Sequence, residues 1–269
     1  MWHLETSLAA LQDGTAQGSV GLSDSSLFRE ETLSGPSPIR LVGLEGTNGN
    51  VNYALDFGGY VKADFIYDFN AIGSTDTFDP LTIPTDGRRG TNTRFHARQT
   101  RLNLDFRPHA NCDETRLFIE GDFFGDRDSF RLRHAFVRVG RLKAGHTWST
   151  FMDESILPRT LDFESARSVI LDRRGLIRWT EPITDSLKVA MALEDPQPRF
   201  DVDSAPAGNL ERAAPDLIGR MRYERPWGHL QGAGLVRLLR FRRATGAEDD
   251  EAGFGFNFTG RLRPHQHHS

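Results

Sequence analysis

The stretch VKADFIYDF, residues 61–69, decides the fold class, because its side chains alternate in character along the chain. Every second residue from Val61 to Phe69 is apolar, and Lys62, Asp64 and Asp68 fall on the opposite face of an extended strand. A period of two with one apolar and one charged face predicts a β-strand with two different environments.

The same alternation recurs in ten segments of the chain. They lie at residues 53–69, 100–106, 116–123, 130–136, 142–144, 177–179, 187–193, 220–224, 230–239 and 253–262. The connections after the odd-numbered segments are mostly long, and those after the even-numbered segments are tight. Transmembrane β-barrels sort their connections in this way, with short periplasmic turns and long external loops, whereas a β-sandwich does not.

Composition agrees with an antiparallel transmembrane β-barrel. No run of 18 apolar residues exists, so helical membrane spans are excluded. The mean hydropathy of -0.48 does not exclude a barrel, because alternate residues of a porin wall are polar. The alternative fold is a soluble all-β protein, in which the same apolar faces would pack against a second sheet. We therefore predict an all-β chain that forms a transmembrane barrel.

The chain divides into three parts. Residues 1–50 are rich in Ser, Gly, Thr and Glu and predict a poorly ordered N-terminal leader. Residues 51–262 carry the barrel pattern, and residues 263–269 predict a disordered tail. Met1 is not followed by the basic and apolar regions of a signal peptide, which a secreted barrel requires, so we expect that the start has been lost.

Basic residues fall on the predicted water face of several strands. They are Arg101, Arg116, Arg131, Arg133 and Arg178. In a closed wall they would form a basic ladder that attracts small anions. They could equally pair with carboxylates of the same wall, namely Asp105, Glu114, Glu120 and Asp122. The net charge of -4 argues against a nucleic-acid partner.

The fourth segment contains one irregularity. Its alternation sets Phe130, Leu132 and Phe136 against Arg131 and Arg133. Arg138 breaks that phase, which we attribute to its position beside the turn at Gly140, where a charge at the membrane interface costs little.

Residues 149–174 lack a two-residue period and form the third external loop if the first strand rises from the periplasm. In general porins this loop folds into the lumen and narrows it. We predict such a constriction loop, with its charged residues at Asp153, Glu154, Arg159, Arg167, Arg173 and Arg174. The alternative is an ordinary solvated loop.

Enzymatic chemistry finds little support. The histidines His96, His109, His134 and His146 are scattered without the spacing of a metal site. No serine lies in a nucleophile elbow, and no dinucleotide-binding glycine motif opens a helix. We expect no enzyme activity, no metal and no cofactor.

Several segments together resemble the DcaP-like family of outer-membrane porins. They are GGYVKADFIYD at 58–68, TRFHARQTRL at 93–102, FRLRHAFV at 130–137, AGHTWSTFMD at 144–153 and GRMRY at 219–223. The resemblance covers about residues 55–262. It implies a sixteen-stranded, homotrimeric diffusion pore in the Gram-negative outer membrane, which passes small anionic solutes such as dicarboxylates.

The family's barrel continues beyond Leu262, so the resemblance implies an incomplete wall of about ten strands, an open or partial barrel. An unclosed wall leaves unpaired strand edges in hydrocarbon, where each unmet backbone group is costly. We therefore expect this chain, as given, not to insert as a stable monomeric pore. The function that the sequence favours is an outer-membrane porin, or a fragment of one; the alternative is a soluble β-rich ligand-binding protein.

Overall fold

The computed structural model describes residues 39–48, 51–74, 80–87, 90–108, 115–157, 172–197 and 208–263. Within these ranges nearly all regular structure is β-strand. The strands are β1 Ile39–Asn48, β2 Val51–Tyr60, β3 Asp64–Asp68, β4 Asn92–His96, β5 Arg101–Arg107, β6 Thr115–Asp122, β7 Arg131–Val139, β8 Leu142–Trp148, β9 Arg173–Pro182, β10 Leu187–Glu194, β11 Gly208–Glu211, β12 Asp216–Arg225, β13 Gly228–Arg243 and β14 Glu248–Leu262. Short 3-10 turns occupy Pro80–Thr82, Asp126–Asp128 and Glu154–Ile156.

The strands form one large antiparallel meander. Its order is β1-β2-β5-β6-β7-β8-β9-β10-β12-β13, with β14 and β11 both paired to β13. Within the described residues, β1 pairs only with β2 and β14 only with β13, so both are edge strands. The prediction of an all-β antiparallel wall that is open in this chain is confirmed.

Connections are sorted by length between the two ends of the sheet. The end that holds residues 49–50, 108–114, 140–141, 183–186 and 226–227 has short turns. The other end carries the longer connections at 61–100, 123–130, 149–172 and 195–215, together with one short turn, 244–247, between β13 and β14. We call these the short-turn end and the long-loop end.

Each of the ten predicted segments contains or overlaps a strand, but their boundaries differ in places. The first segment divides into β2 and β3, because the chain leaves the ladder at residues 61–63. β3 pairs with β4 as a separate two-stranded ribbon in the connection between β2 and β5, at the long-loop end. At the C-terminal edge of the sheet, β13 and β14 continue far into residues 240–252, which connect the ninth and tenth predicted segments. Cross-strand ion pairs such as Arg240 with Asp250, 2.7 Å apart, favour that extension.

β1 lies inside the stretch that we expected to be poorly ordered. It pairs with β2 along its whole length, from Asn48 opposite Val51 to Ile39 opposite Gly59. Gly43 and Gly46 interrupt the alternation of apolar and polar residues in β1. Its backbone hydrogen bonds to β2, which has a clear alternation, stabilise it as a strand. Residues 1–38 of the expected leader and 264–269 of the expected tail lie outside the described residues.

The sheet is strongly curved, as one hydrogen bond demonstrates. Asn257 in β14 donates through Nδ2 to the carbonyl oxygen of Phe151, 2.9 Å away, and Phe151 is only three residues beyond the end of β8. In a flat sheet five strand spacings of about 4.8 Å would separate β8 from β14, roughly 24 Å, while three residues reach about 10 Å. The concave side is therefore the side that residues 149–157 occupy.

No helix in the described part of the chain has the length and apolarity to cross a membrane.

Candidate functional site: the concave face and the infolded loop

The convex face of the sheet is apolar and exposed. Leu117 is 38 % exposed, Ile119 40 % and Phe256 83 %, although each is large and apolar. The other exposed apolar side chains of the strands include Phe57, Leu132, Val137, Ile177, Trp179, Met191, Leu193, Met221, Val236, Phe254 and Phe258. No second sheet covers these side chains within the described residues, so the sandwich alternative is wrong.

The concave face is polar and far less exposed. Its buried polar and charged side chains include Arg101, Asn103, Asp105, Glu120, Asp122, Arg133, His134, Arg178, Glu194, Asp216, Arg222 and Gln231. A soluble protein places its apolar side chains inside, so this wall is reversed. Polar inside and apolar outside is the arrangement of a transmembrane barrel wall.

A charged network occupies the long-loop half of β5–β7. Arg133 donates through Nε to Glu120, 3.0 Å, and through Nη1 to Asp122, 2.9 Å. Arg131 forms a bidentate pair with the same Asp122, at 2.9 and 2.8 Å. Arg101 lies 3.9 Å from Glu120. Three predicted lumen arginines therefore contact two carboxylates.

The other two predicted lumen arginines also lie on the concave face. Arg116 forms a bidentate pair with Asp105, both bonds 2.9 Å. Arg178 in β9 is 4 % exposed. All five arginines are thus on the predicted face. Four of the five are paired with Asp105, Glu120 or Asp122, as the alternative interpretation had it.

A β-bulge in β7 brings two consecutive side chains to the concave face. Glu120 of β6 is opposite His134, but Gly121 is opposite Leu132, so Arg133 is an extra residue in the ladder. Arg133 is 7 % exposed and His134 is 1 % exposed, and both face inward. His134 Nδ1 lies 2.9 Å from the hydroxyl of Thr147 in β8.

The bulge overturns two expectations for this strand. Beyond it the phase shifts by one residue, so Phe136 faces the concave side and is 6 % exposed, whereas we predicted it on the apolar face. Arg138, two residues further, then lies in phase with Phe136. The apparent break at Arg138 is a consequence of the bulge and not of the adjacent turn.

Residues 149–157, which we call the infolded loop, leave β8 at the long-loop end and enter the concave side. Glu194 at the end of β10 is 1 % exposed and accepts two bonds from the start of this loop. Ser149 donates its hydroxyl to Glu194 Oε2, and Thr150 donates its backbone N–H to Oε1, both at 2.6 Å. Glu194 therefore fixes the point where the chain turns inward.

Asp153 anchors the far end of the infolded loop to the opposite wall. His229 Nε2 lies 2.7 Å from Asp153 Oδ2, and Thr259 donates its hydroxyl to the same oxygen at 2.9 Å. Arg222 donates through Nη1 to Asp153 Oδ1, 3.1 Å. The anchors come from β12, β13 and β14, so one carboxylate joins three strands.

Backbone groups of the infolded loop are held by the same wall. Gln231 donates through Nε2 to the carbonyl oxygen of Met152, 3.0 Å, and Arg261 donates to that of Ser155, 3.3 Å. His229 is the second residue of β13 and Arg261 the second-last of β14. The loop therefore runs from the long-loop end of β8 to near the short-turn end of β13 and β14.

Asp153 is held as a carboxylate in spite of its burial. Desolvation by burial raises the pKa of its side chain, but hydrogen bonds from Ser155 and His229 and the charge of Arg222 outweigh this. The net pKa lies below the usual value of 3.8. Asp153 therefore stays charged at any neutral pH.

Two of the residues that we predicted for a constriction loop lie in the infolded loop. Asp153 and Glu154 are buried within the infolded loop, at 4 % and 6 % exposure. Arg159 and Arg167 lie outside the described residues. Arg173 and Arg174, which we assigned to the loop, are the first two residues of β9.

Both of these β9 arginines are engaged by the wall. The guanidinium of Arg173 lies 4.6 Å from the ring centroid of Trp148. Arg174 donates through Nη1 to Asp216, 2.8 Å away and fully buried, which also accepts from Arg237 at 2.7 Å. They belong to the strand because an antiparallel ladder with β8 begins at Arg173.

Sequence reasoning missed the receiving wall of the infolded loop. Glu194, Arg222, His229, Gln231 and Asp216 were not singled out. Their signal was available in part, because all five occupy the polar phase of their strands. Apart from Glu224, which is two residues from Arg222, the partners of these residues lie between 9 and 79 residues away in the chain, a separation that no local sequence pattern reveals.

No cluster of three or more His, Cys, Asp and Glu that could hold a metal ion occurs in the described ranges.

A scan against protein-family models and a search of curated proteins found no match. A search of solved structures matched the crystal structure of the outer membrane channel DcaP of Acinetobacter baumannii with a TM-score of 0.70. The chain has the DcaP fold.

The match to DcaP covers 84 % of this chain and 63 % of the channel's chain, at 22 % sequence identity. The resemblance to DcaP-like porins that the sequence motifs indicate is thereby confirmed for the fold. The chain spans less than two thirds of the length of the DcaP channel chain.

Proposed function

We propose that the protein is an outer-membrane porin, or a part of one, that allows passive diffusion of small solutes. The observation that carries the proposal is the reversed sidedness of the wall, apolar and exposed on its convex face and charged on its concave face. The fold of the DcaP outer membrane channel supports it, and so does a loop that folds into the concave side. A soluble ligand-binding protein would leave no such apolar surface uncovered.

The finer proposal is that the solutes are small anions such as dicarboxylates. Arginine outnumbers carboxylate in the contacts of β5–β7, where Arg101, Arg131 and Arg133 meet Glu120 and Asp122. An excess of fixed cations in a narrow aqueous passage favours anions. The same proposal includes a location in the outer membrane of a Gram-negative bacterium, outer-membrane lipid and a homotrimer as its partners, no nucleic-acid partner, and no enzyme activity.

Conductance tests this proposal directly. Because we do not expect the chain to insert as a stable monomeric pore, its oligomer is purified in detergent and added to planar lipid bilayers. The same oligomer is reconstituted into liposomes, whose swelling reports the uptake of sugars and dicarboxylates of increasing size. A porin gives stepwise conductance and a size limit for uptake, with a reversal potential biased toward chloride. A protein that stays folded and monodisperse without detergent, and gives no conductance, would contradict the porin. A cation-biased pore would contradict only the anion preference.

A further inference from the structure

The two-stranded ribbon of β3 and β4 carries an exposed aromatic face. Phe65 of β3 is directly opposite Phe95 of β4, and Tyr67 follows Phe65 on the same face. The ring of Phe69 lies edge-on to that of Tyr67, with 4.9 Å between the centroids. Each of these four side chains is between 44 % and 78 % exposed. We call the four together the aromatic patch.

The opposite face of the ribbon is turned toward the concave side of the sheet. Asp64 and His96 lie on that face, directly opposite one another. The ring of His96 lies 6.0 Å from that of Phe124, and the guanidinium of Arg131 lies 5.5 Å from the same Phe124 ring. Arg131 belongs to the charged network of the concave face. The aromatic patch therefore faces away from the concave side, in the direction of the convex face.

The patch lies beyond the part of the wall that a bilayer would cover. Phe65 is 14 residues along the chain from Val51, the first residue of β2 at the short-turn end. A tilted strand needs about 9–11 residues to cross the hydrocarbon of a membrane. The patch is thus past the hydrocarbon at the long-loop end, where the external loops of a porin meet water.

β13 and β14 extend equally far and have a different surface there. Glu248 is 14 residues from Leu262, the last residue of β14 at the short-turn end, and it has the phase of the convex side chain Phe256. On the same phase Arg240 pairs with Asp250 at 2.7 Å. We call residues 240–243 and 248–251 the charged ribbon. Its exposed ion pairs form an ordinary solvated surface.

The difference between the two ribbons indicates that the aromatic patch is covered locally. A lipid leaflet surrounds a membrane protein evenly at a given depth. A patch adapted to lipid or to its head groups should therefore recur on other strands at that distance from the short-turn end, where the charged ribbon stands instead. A contact with another protein is local, and aromatic side chains are enriched in such contacts.

The size of the patch agrees with a protein contact. An aromatic side chain buries about 150–250 Å² when it is fully covered, so four rings with these exposures leave roughly 500 Å² of apolar surface open. A contiguous apolar patch of that size is often functional. A standard interface takes about 800 Å² from each partner, which the patch can supply together with polar side chains at its border, such as Thr93 opposite Tyr67.

We propose that the aromatic patch docks against a second copy of this chain at the long-loop end of the wall. This inference rests on the proposed porin function, because a shared membrane holds two copies at one depth and in one orientation. The long-loop end of a neighbouring copy then stands at the height of the patch. The contact is assigned to the ribbon of β3 and β4, and the charged ribbon is left to solvent.

Photo-crosslinking tests the contact in the inserted protein. Phe95 is replaced by the photoreactive analogue p-benzoylphenylalanine, which keeps an aromatic ring, and the protein is folded into vesicles of phosphatidylethanolamine and lipopolysaccharide. Illumination should join two copies of the 30.2 kDa chain into a product of about 60 kDa. The same analogue in place of Glu248, on the charged ribbon, should give much less of that product.

Substitutions measure what the rings contribute to the contact. The double variant F65S/F95S should raise the dissociation constant of the detergent-solubilised oligomer at least about tenfold, because buried aromatic side chains carry much of the binding energy of an interface. F65L/F95L, which keeps apolar side chains, should lose less, and E248Q should match the parent. Analytical ultracentrifugation over a dilution series gives these constants.

Planar-bilayer conductance of the parent separates the two proposals. In a parent that conducts, photoproducts with lipid or lipopolysaccharide alone would overturn the contact and leave the porin function standing. So would an oligomer of F65S/F95S that is as stable as that of the parent. A parent that forms no pores would overturn both proposals.

Discussion

Replacing Asp153 by asparagine removes one charge from the centre of the anchor and changes the side-chain volume little. The parent carboxylate accepts from Arg222, His229 and Thr259, and its side chain is 1 % exposed. Asparagine presents one NH₂ group to donors that require an acceptor. The substitution therefore removes the buried carboxylate of the Arg222 pair and leaves this buried guanidinium only Glu224, 3.6 Å away and largely exposed, as a carboxylate partner.

The size of the effect follows from that buried charge. Breaking a buried pair by removing one partner costs about 3–5 kcal/mol. Since about 1.4 kcal/mol corresponds to a factor of ten, the docked state of the infolded loop would lose at least about a hundredfold in population. We expect the anchor to release, so that the loop no longer narrows the passage.

Single-channel recording measures the outcome. D153N should give a larger mean conductance and more open-channel noise than the parent, with digestion by added protease within residues 149–157. D250N is the matched control, because Asp250 pairs with Arg240 in an exposed ribbon, where solvent screens the pair and its contribution to stability is small. Conductance and noise equal to those of the parent in D153N would refute the anchor.

Three further outcomes are expected. The pKa of Asp153 is lowered in the docked state, so its contribution to the stability of loop docking is complete above the usual value of 3.8 and is lost as pH falls through the lower folded-state value. Parent channels should therefore acquire the D153N conductance only well below pH 4, and D153N itself should show no such transition. Ile119→Arg on the convex face should destabilise the protein by about 2–4 kcal/mol in urea unfolding from lipid vesicles, because it places a charge against lipid. Thr180→Arg on the concave face should not destabilise it, and equal losses of stability in the two variants would contradict the assigned faces. Gly145→Ala should cost about 1–3 kcal/mol in the same assay, because Gly145 has φ 133° and an added Cβ would lie 2.2 Å from a backbone oxygen. The control is Gly219→Ala, whose added Cβ would meet nothing within 4 Å, and similar losses for both variants would argue against the close approach at Gly145.

The strands could be predicted because their signal is local. Alternation over a few residues, as in Phe254 to Phe258, identifies both the strand and its two faces. β1 was missed because glycines interrupt its pattern, and β11, Gly208–Glu211, because four residues are too few to show one.

The site was predicted less completely, since its contacts are long-range. The position of the infolded loop could be predicted because it is the third long connection of the chain. The residues of β12–β14 that bind this loop could not be predicted. His229 is 76 residues from Asp153, and Thr259 is 106. The β-bulge that places both Arg133 and His134 on the concave face could not be predicted, because the alternation of apolar and polar residues does not reveal an extra residue in a strand.

That bulge in β7 has a consequence for deletions. Removing one residue from a strand normally exchanges the two faces of the rest of that strand, which would place polar side chains on the convex face and destabilise the sheet. Here the remainder after loss of Arg133 reads Leu132 outward, His134 inward and Ala135 outward, an unbroken ladder. The pairing of β6 with β7 should thus survive that single excision, and its cost should come from Glu120 and Asp122, which are buried and lose the guanidinium of Arg133.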